Sequence, residues 1–318
     1  IIRYLMNGID VMVIDPENEY KDLCEKLWWT YVTIATWSSQ FINPFDLPPK
    51  IADRDYAEGD LLRWKIMDLL WLITILVGGL SPQDEAILDK ALQTTYQLKW
   101  ISMDDDNFED KEIPIMSDLY NVLDWMEWGE ELALKLSKFV TWAFAKVFNN
   151  PTNVNLTRNL TVFSIRDLED ALKTPAMYSV LNYIRAQVRS EKKKRLLVCD
   201  EAWIMLQNET SASFLFWLIK RARKYWLGIT TISQDIEDFM RSSYWKPIVS
   251  NSPFQILLKQ STTSMKTLDE LLWLSEAEKH RLVSSNIGEW LLFAGNQHVA
   301  IKVLASPKEE QFITTDVS

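Results

Sequence analysis

Strand-length apolar runs alternate with helical patterns at both ends of the chain. The runs at 9–15, 30–34, 159–165, 195–199 and 228–233 are almost continuous in apolar and β-branched residues. Such runs are typical of parallel strands that are buried on both faces of a sheet. Segments between them place apolar residues three and four positions apart, as amphipathic helices do. We therefore predict an α/β fold of the mostly parallel type, with helices flanking the sheet.

The middle of the chain has a different pattern. From residue 51 to residue 149, helical spacing dominates and strand-type runs are almost missing. Ser81, before PQDEAILDKAL, and Ser117, before DLYNVLDWM, are the expected N-caps of two helices in this region. The pattern predicts two domains: a sheet-containing domain built from 1–50 and 150–318, and an all-α insertion domain over 51–149.

The C-terminal part of the chain adds shorter elements. Helices are predicted at 175–189 and 211–225, and the run FQILLKQ at 254–260 predicts one more strand. The segment EWLLFAGNQHVAIKVLA, which begins at Glu289, is hairpin-like and is predicted to close the domain.

Charge and composition narrow the class of protein. Lys and Arg total 34 against 44 Asp and Glu, which gives a net charge of -10. This balance argues against a protein whose main task is to grip the nucleic-acid backbone. The two cysteines make no disulfide framework and fit a reducing compartment. No apolar run approaches the ~20 residues that a membrane-spanning helix needs.

Tryptophan is unusually frequent and glycine unusually rare. The chain has 15 Trp and 8 Gly. Trp226 falls between a helical pattern and a strand, which is the usual place of a left-handed glycine cap. Trp290 and the pair Trp28 and Trp29 also precede apolar strand runs. We predict that many of these tryptophans occupy positions whose backbone conformation favours glycine.

Two carboxylates end one of the most apolar runs of the chain. Asp200 and Glu201 directly follow the strand pattern at 195–199, and α/β folds bind their ligands at the carboxyl ends of strands. Buried charges there need a positive partner. In nucleotide triphosphatases this partner is Mg²⁺, and four apolar residues followed by Asp-Glu form the Walker B pattern. An acidic helix N-terminus after a strand is the alternative explanation.

The next strand and the helix before it carry further candidate residues. Gln234 ends the run at 228–233, where an amide can reach a γ-phosphate or the attacking water. The preceding helix ends in a basic cluster that includes Arg221 and Arg223. These cations either complement the helix dipole or supply an arginine to the phosphate bound by a neighbouring subunit.

The order of the motifs resembles one protein family. DPENEY (15–20), INPFD (42–46), a helical insertion, LLVCDEAW (196–203), KRARKYW (220–226) and TISQD (231–235) follow one another. This order is similar to that of the large VirB- and TraC-type ATPases of type IV secretion and conjugation systems. They belong to the HerA–FtsK branch of RecA-like hexameric motors. The resemblance covers almost the whole chain and implies a RecA-like fold with ATP and Mg²⁺ as cofactors.

The resemblance implies roles for individual residues. Asp200 is implied to hold Mg²⁺ through water and to contact the nucleotide, and Glu201 is implied to be the catalytic acid that acts on the attacking water. Gln234 is implied to sense the γ-phosphate, and Arg221 or Arg223 to be the arginine finger.

The DPENEY and INPFD motifs are assigned less fully. Asp15, Glu17 and Glu19 correspond to an acidic motif beside the nucleotide site, and exposed loop acids are the alternative. INPFD, with Asn43 and Pro44, is a hallmark of the family whose role the residues alone do not reveal.

One family motif is missing from this chain. The family binds phosphates with a G-x-x-x-x-G-K-[ST] loop, but no Lys follows a Gly anywhere in the sequence. In the family's order this loop precedes Ile1, so we expect the chain to begin within or just after the helix of that loop. The chain as written is then expected to bind ATP poorly.

The resemblance implies an ATPase motor domain that energises a type IV secretion or conjugative transfer channel. It implies a homo-oligomer, expected to be a hexamer, with other channel subunits as partners and a transported protein or protein–DNA complex as a possible substrate. The implied location is cytoplasmic, peripheral at the bacterial inner membrane. Two alternatives remain: a DNA-pumping translocase of the same branch, and a non-hydrolysing scaffold.

Overall fold

In the computed structural model, the main sheet of the described residues has five parallel strands: β1 Asp10–Asp15, β2 Thr30–Thr33, β3 Leu160–Ser164, β4 Arg195–Cys199 and β5 Leu227–Thr231. Their order across the sheet is β2-β3-β1-β4-β5, so β1 is the central strand. Every residue of β3 is buried, as continuous apolar runs require. The predicted parallel sheet flanked by helices is confirmed.

The structure describes residues 1–47, 60–103, 105, 107–108, 110–141, 144–154, 159–191, 193–234, 236–295 and 297–313. The chain divides into two compact units. The first comprises Ile1–Asp200 and Arg221–Thr231, and the second comprises Glu201–Lys220 and Ile232–Ser318.

The helices of the first unit flank the sheet or follow β2. They are α1 Ile2–Met6, α2 Lys21–Lys26, α3 Asp60–Val77, α4 Pro82–Leu98, α5 Met116–Trp125, α6 Glu130–Leu136, α7 Ala145–Phe148 and α8 Asp170–Ser190, with a 3₁₀ turn at Ser137–Phe139. Every described element from α3 to α7 is helical, but the boundary predicted at 50–51 lies outside the described residues. The proposed division into a sheet domain and an insertion domain stays a prediction.

Two helix starts in this region had been predicted from serines. Ser81 caps α4 as expected: its Oγ accepts the N–H of Asp84 at 3.1 Å, and the Asp84 carboxylate accepts the N–H of Ser81 at 3.1 Å. The prediction for Ser117 is wrong, because α5 already begins at Met116. There the Asp118 carboxylate accepts the N–H of Ile115.

The second unit is built on a small antiparallel sheet. Its elements are α9 Trp203–Leu206, α10 Glu209–Ala222 (whose last two residues belong to the first unit), α11 Ile236–Met240, α12 Trp245–Ser250, β6 Phe254–Leu257, α13 Met265–Leu272, α14 Glu276–Ser284, β7 Glu289–Ala294, β8 Gln297–Lys302 and α15 Pro307–Ile313. The predicted hairpin is confirmed as β7 and β8. The strand predicted at 254–260 ends at Leu257 and pairs antiparallel with β7. One face of this sheet packs on α13 and α14 through Leu268, Leu282 and Leu291.

Tryptophans occupy most of the left-handed positions of the described chain that are not glycine. Of its seven non-glycine residues with positive φ, five are Trp: Trp28, Trp100, Trp128, Trp226 and Trp273. Each follows a helix or a 3₁₀ turn, where glycine is the usual residue because it has no Cβ. Their side chains are 57% to 87% exposed.

The prediction that tryptophans occupy positions whose backbone favours glycine is thus confirmed for two of the four residues named for it. Trp226 has φ 56° and Trp28 has φ 57°. It is wrong for Trp290, which lies inside β7 opposite Ile301, and Trp29 is not among the positive-φ residues of the described chain.

Candidate functional site

Two buried aspartates lie at the carboxyl edge of the main sheet. The register pairs Ile14 of β1 with Cys199 of β4, so the residues that follow, Asp15 and Asp200, lie side by side. Asp15 is fully buried and Asp200 is 6% exposed. The N–H of Asp200 donates to the carbonyl oxygen of Ile14 at 3.2 Å. This is the edge at which parallel sheets bind ligands, beside the point where the strand order reverses.

Asp15 organises the turn that follows β1. Its carboxylate accepts the backbone N–H groups of Glu17 at 3.3 Å, Glu19 at 3.0 Å and Tyr20 at 3.1 Å. Burial raises the pKa of Asp15, and these backbone hydrogen bonds act in the opposite direction. The side chains of Glu17 and Glu19 are exposed. In this structure the described contacts of the acidic motif therefore serve the local turn.

Tyr20 links the DPENEY turn to Asp200. Its side chain hydrogen-bonds to the Asp200 carboxylate, and the pKa of Tyr20 is raised by burial and then by the charges of Asp200 and Asp15. A phenol that donates here holds its proton strongly and fixes one side of the carboxylate. Sequence reasoning missed this residue, although it closes a motif that was already identified.

Two side chains of the second unit donate hydrogen bonds to the carboxylate of Glu201. Gln234 Nε2 donates to Glu201 Oε1 at 2.5 Å, and Trp203 Nε1 donates to Oε2 at 2.5 Å. Glu201 is 7% exposed and has φ 46°, an unusual backbone conformation that often occurs at functional sites. The structure therefore brings together the two residues that were predicted to act on the attacking water.

Trp203 is the second residue that sequence reasoning did not assign. Its indole N–H is a donor without an acceptor function, so the Glu201 oxygen is the acceptor in this contact. It stands two positions after Glu201, and the motif DEAW was the signal that could have found it.

The two candidate arginine fingers lie at the end of α10. Arg221 is in the last turn of α10, and Arg223 begins the 3₁₀ turn Arg223–Tyr225 that ends at Trp226. Both side chains are exposed. Nearby, the Arg189 guanidinium lies over the rings of Trp64, at 3.9 Å, and Tyr225, at 5.7 Å.

The carboxylates of the described chain fit a Mg²⁺ ion that takes most of its ligands from the bound nucleotide and from water. Across the described part of the chain, no group of three or more His, Cys, Asp or Glu residues could hold a metal ion. Asp200 alone, buried at the sheet edge, fits a contact to Mg²⁺ through water, because Mg²⁺ keeps several waters and takes phosphate oxygens as ligands.

The INPFD loop is fastened to the helices that follow β2. Asn43 Nδ2 donates to the Pro114 carbonyl oxygen at 2.9 Å, and Asn43 Oδ1 accepts the Phe45 N–H at 3.1 Å. The hydroxyl of Tyr96 donates to the carbonyl oxygen of Phe45 at 2.7 Å. The motif thus anchors α4 to the loop after β2.

The family model of the TraG P-loop domain matches residues 136–302. This range is just over half of the chain and contains β3, β4 and β5 with Asp200, Glu201 and Gln234. The chain belongs to the TraG P-loop domain family. The resemblance found in the motifs is thereby confirmed for this TraG-family chain, while the roles of single residues stay proposals.

Solved structures support the same assignment. VirB4 of Thermoanaerobacter pseudethanolicus superposes with a TM-score of 0.87 at 28% identity, over 98% of this chain and 85% of that one. The plasmid coupling protein TrwB in complex with the non-hydrolysable ATP analogue ADPNP gives a TM-score of 0.61 at 12% identity, over 95% and 79%. A trigonal TrwB structure with sulphate gives 0.59, also at 12% and over the same shares. At that identity TrwB shows the fold alone. No curated protein matches the TraG-family chain.

Proposed function

We propose that this chain is an ATPase motor domain that hydrolyses Mg-ATP to energise a type IV secretion or conjugative transfer channel. Membership of the TraG P-loop family and the likeness to VirB4 support the class of protein. The observation that carries hydrolysis is the buried Glu201 carboxylate, which both Gln234 and Trp203 hydrogen-bond. A carboxylate held by fixed donors is suited to orient a water and accept its proton.

Each candidate residue has one task in this proposal. Mg²⁺, when bound with ATP, neutralises phosphate charge and polarises the γ-phosphoryl group. Asp200 holds the water shell of that ion, and Tyr20 keeps the Asp200 carboxylate in place. Glu201 orients the attacking water and takes its proton. Gln234, which follows β5, donates to the Glu201 carboxylate and holds it in position.

The remaining proposed elements come from other chains. Arg221 or Arg223 is supplied to the phosphates of a neighbouring subunit in a homo-oligomer, proposed to be a hexamer. The partners are channel subunits, and the transported protein or protein–DNA complex is the substrate. None of the described helices is long and apolar enough to cross a membrane. We place the domain in the cytoplasm, peripheral at the bacterial inner membrane.

The test is hydrolysis by Glu201→Gln. The chain as printed has no G-x-x-x-x-G-K-[ST] run, so the variant is made in a chain extended upstream by such a loop. We expect kcat to fall at least ~100-fold with nucleotide affinity retained, because removing a general base costs rate and leaves binding intact. Glu209→Gln, an exposed acid in the first turn of α10, is the matched control. Unchanged hydrolysis in Glu201→Gln would remove the assignment of Glu201, whereas an absence of hydrolysis in the loop-extended parent would favour a non-hydrolysing scaffold.

A further inference from the structure

A polar cavity lies in the first unit, between the INPFD loop, α3 and α8. Its volume is about 120 Å³, and its walls include Asp46, Lys65, Ser179 and Asn182. The described residues that line it include none of those proposed for ATP hydrolysis. The cavity has room for about four water molecules. The same space would hold one amino acid no larger than alanine or serine.

Two buried polar atoms line this cavity without a partner among the described residues. Ser179 Oγ neither donates nor accepts a hydrogen bond there, and Asn182 Oδ1 accepts none. Both residues are 8% exposed, and they stand three positions apart on one face of α8. Because an unsatisfied buried polar atom costs free energy, two of them lining one cavity indicate that a ligand completes their bonding.

The opposite wall carries the ammonium of Lys65 and the carboxylates of Asp46 and Asp68, and Asp68 is paired with Arg185. Lys65 on α3 is 6% exposed, and its Nζ donates to the Pro44 carbonyl oxygen at 3.0 Å. Asp46 accepts the hydroxyl of Thr152 at 2.5 Å. Burial lowers the pKa of Lys65 and raises that of Asp46. An ammonium has three donors and a carboxylate about four acceptor sites, so both groups retain bonding capacity.

We propose that this cavity binds a small amino acid as a zwitterion. The ligand carboxylate accepts from Lys65, and the ligand ammonium donates to Asp46 and to Asn182 Oδ1, with Ser179 Oγ completing the shell. A simple anion would leave the Asn182 acceptor unpaired. A simple cation would face the Lys65 charge. Only a ligand with both charges satisfies the two walls, and it would bridge α3, α8 and the INPFD loop.

Calorimetric titration of the full chain with glycine and with alanine tests the site, with acetate and methylammonium as single-charge probes. We expect one amino acid per chain, with both single-charge probes at least about tenfold weaker. Ser179→Ala and Asn182→Leu should each weaken the binding of the amino acid by about tenfold or more, since each removes a hydrogen bond to the ligand. Gln207→Leu, on an exposed residue outside the cavity, should bind as the parent does.

Two results would overturn the proposal. One is the absence of binding by glycine and alanine at millimolar concentration, with ordered waters filling the cavity in a crystal grown with them. The other is acetate or methylammonium that binds as well as the zwitterions. Because Ser179→Ala removes one oxygen from a buried helix and leaves the fold's packing in place, a folding failure of Asn182→Leu leaves the test decisive.

The left-handed tryptophans carry a second, independent inference. Non-glycine residues with positive φ are uncommon, and Asn, Asp and His are the types that tolerate it. Among the described residues, five tryptophans have positive φ, including Trp226. Five separate exchanges to the same large residue need a common cause. A single codon with a reassigned meaning provides one.

We infer that the protein made by its source organism carries glycine at these five positions, decoded from UGA, a codon that different genetic codes read as stop, tryptophan or glycine. Trp203 differs, because its indole N–H donates to Glu201, and its codon should be UGG.

Gene sequencing and peptide mass spectrometry of the protein from its source test this inference. We expect UGA codons and glycine at 28, 100, 128, 226 and 273, and tryptophan at 203. Tryptophan in the native peptides at 226 and 273 would overturn it, and so would UGG codons at the five positions.

Discussion

Trp226→Gly should be more stable than Trp226→Ala, although alanine is the larger side chain of the two. Trp226 has φ 56° and ψ 29° where the 3₁₀ turn meets β5, and its carbonyl oxygen accepts the N–H of Arg195 at 3.1 Å. The left-handed conformation costs an L-residue about 1–2 kcal/mol. Glycine removes that cost and loses roughly 0.5–1 kcal/mol through its freer unfolded chain. The side chain is 57% exposed, and its remaining contacts are lost equally when alanine replaces it, so the comparison with Trp226→Ala isolates the cost of the left-handed backbone and should favour glycine by about 1 kcal/mol.

The matched control is Trp226→Ala, which removes the aromatic ring and keeps the Cβ. Urea unfolding followed by circular dichroism gives the free energy of unfolding of both variants. We expect the free energy of unfolding of Trp226→Gly to exceed that of Trp226→Ala by about 1 kcal/mol, and the dependence on urea concentration to be the same in both. If the alanine variant is as stable as the glycine variant, the left-handed backbone is not the source of strain and the reasoning fails.

Three further predictions concern other residues. Burial, and then the charge of Asp200, raise the pKa of Cys199 to about 12 from its usual 9.0. The thiol should therefore resist a disulfide reagent at pH 8 until urea unfolds the chain, and stability should fall as the pH rises above 9.0, because the unfolded thiol ionises first. Tyr20→Phe removes the hydrogen bond to Asp200 and should weaken Mg²⁺-dependent nucleotide binding by about 1 kcal/mol in the loop-extended chain, with the magnesium titration as readout; an unchanged titration would contradict it. Asn43→Ala leaves the Pro114 carbonyl oxygen and the Phe45 N–H without their partner and should destabilise the chain by about 1–3 kcal/mol in urea, whereas a loss near zero would show that water replaces the amide.

Local chemistry made much of this protein readable from its sequence. The continuous apolar run before Asp200 predicts a buried parallel strand, because both faces of such a strand are covered by helices. Ser81 and Asp84 predict a helix start, because the capping bonds join residues three positions apart. The conformation at Trp226 was also predictable, because a helix end directly before a strand calls for a left-handed residue.

Bonds between residues distant in sequence needed the tertiary structure. Gln234 and Glu201 are 33 positions apart, and only the folded second unit shows that the amide holds the carboxylate. The contact of Tyr20 with Asp200 exists because β1 and β4 are neighbours in the sheet, an order that no local pattern encodes. The antiparallel pairing of Phe254–Leu257 with β7 likewise depends on a partner strand. Residue types and spacing therefore determined which elements form and which groups can react, and packing decided which of those groups meet.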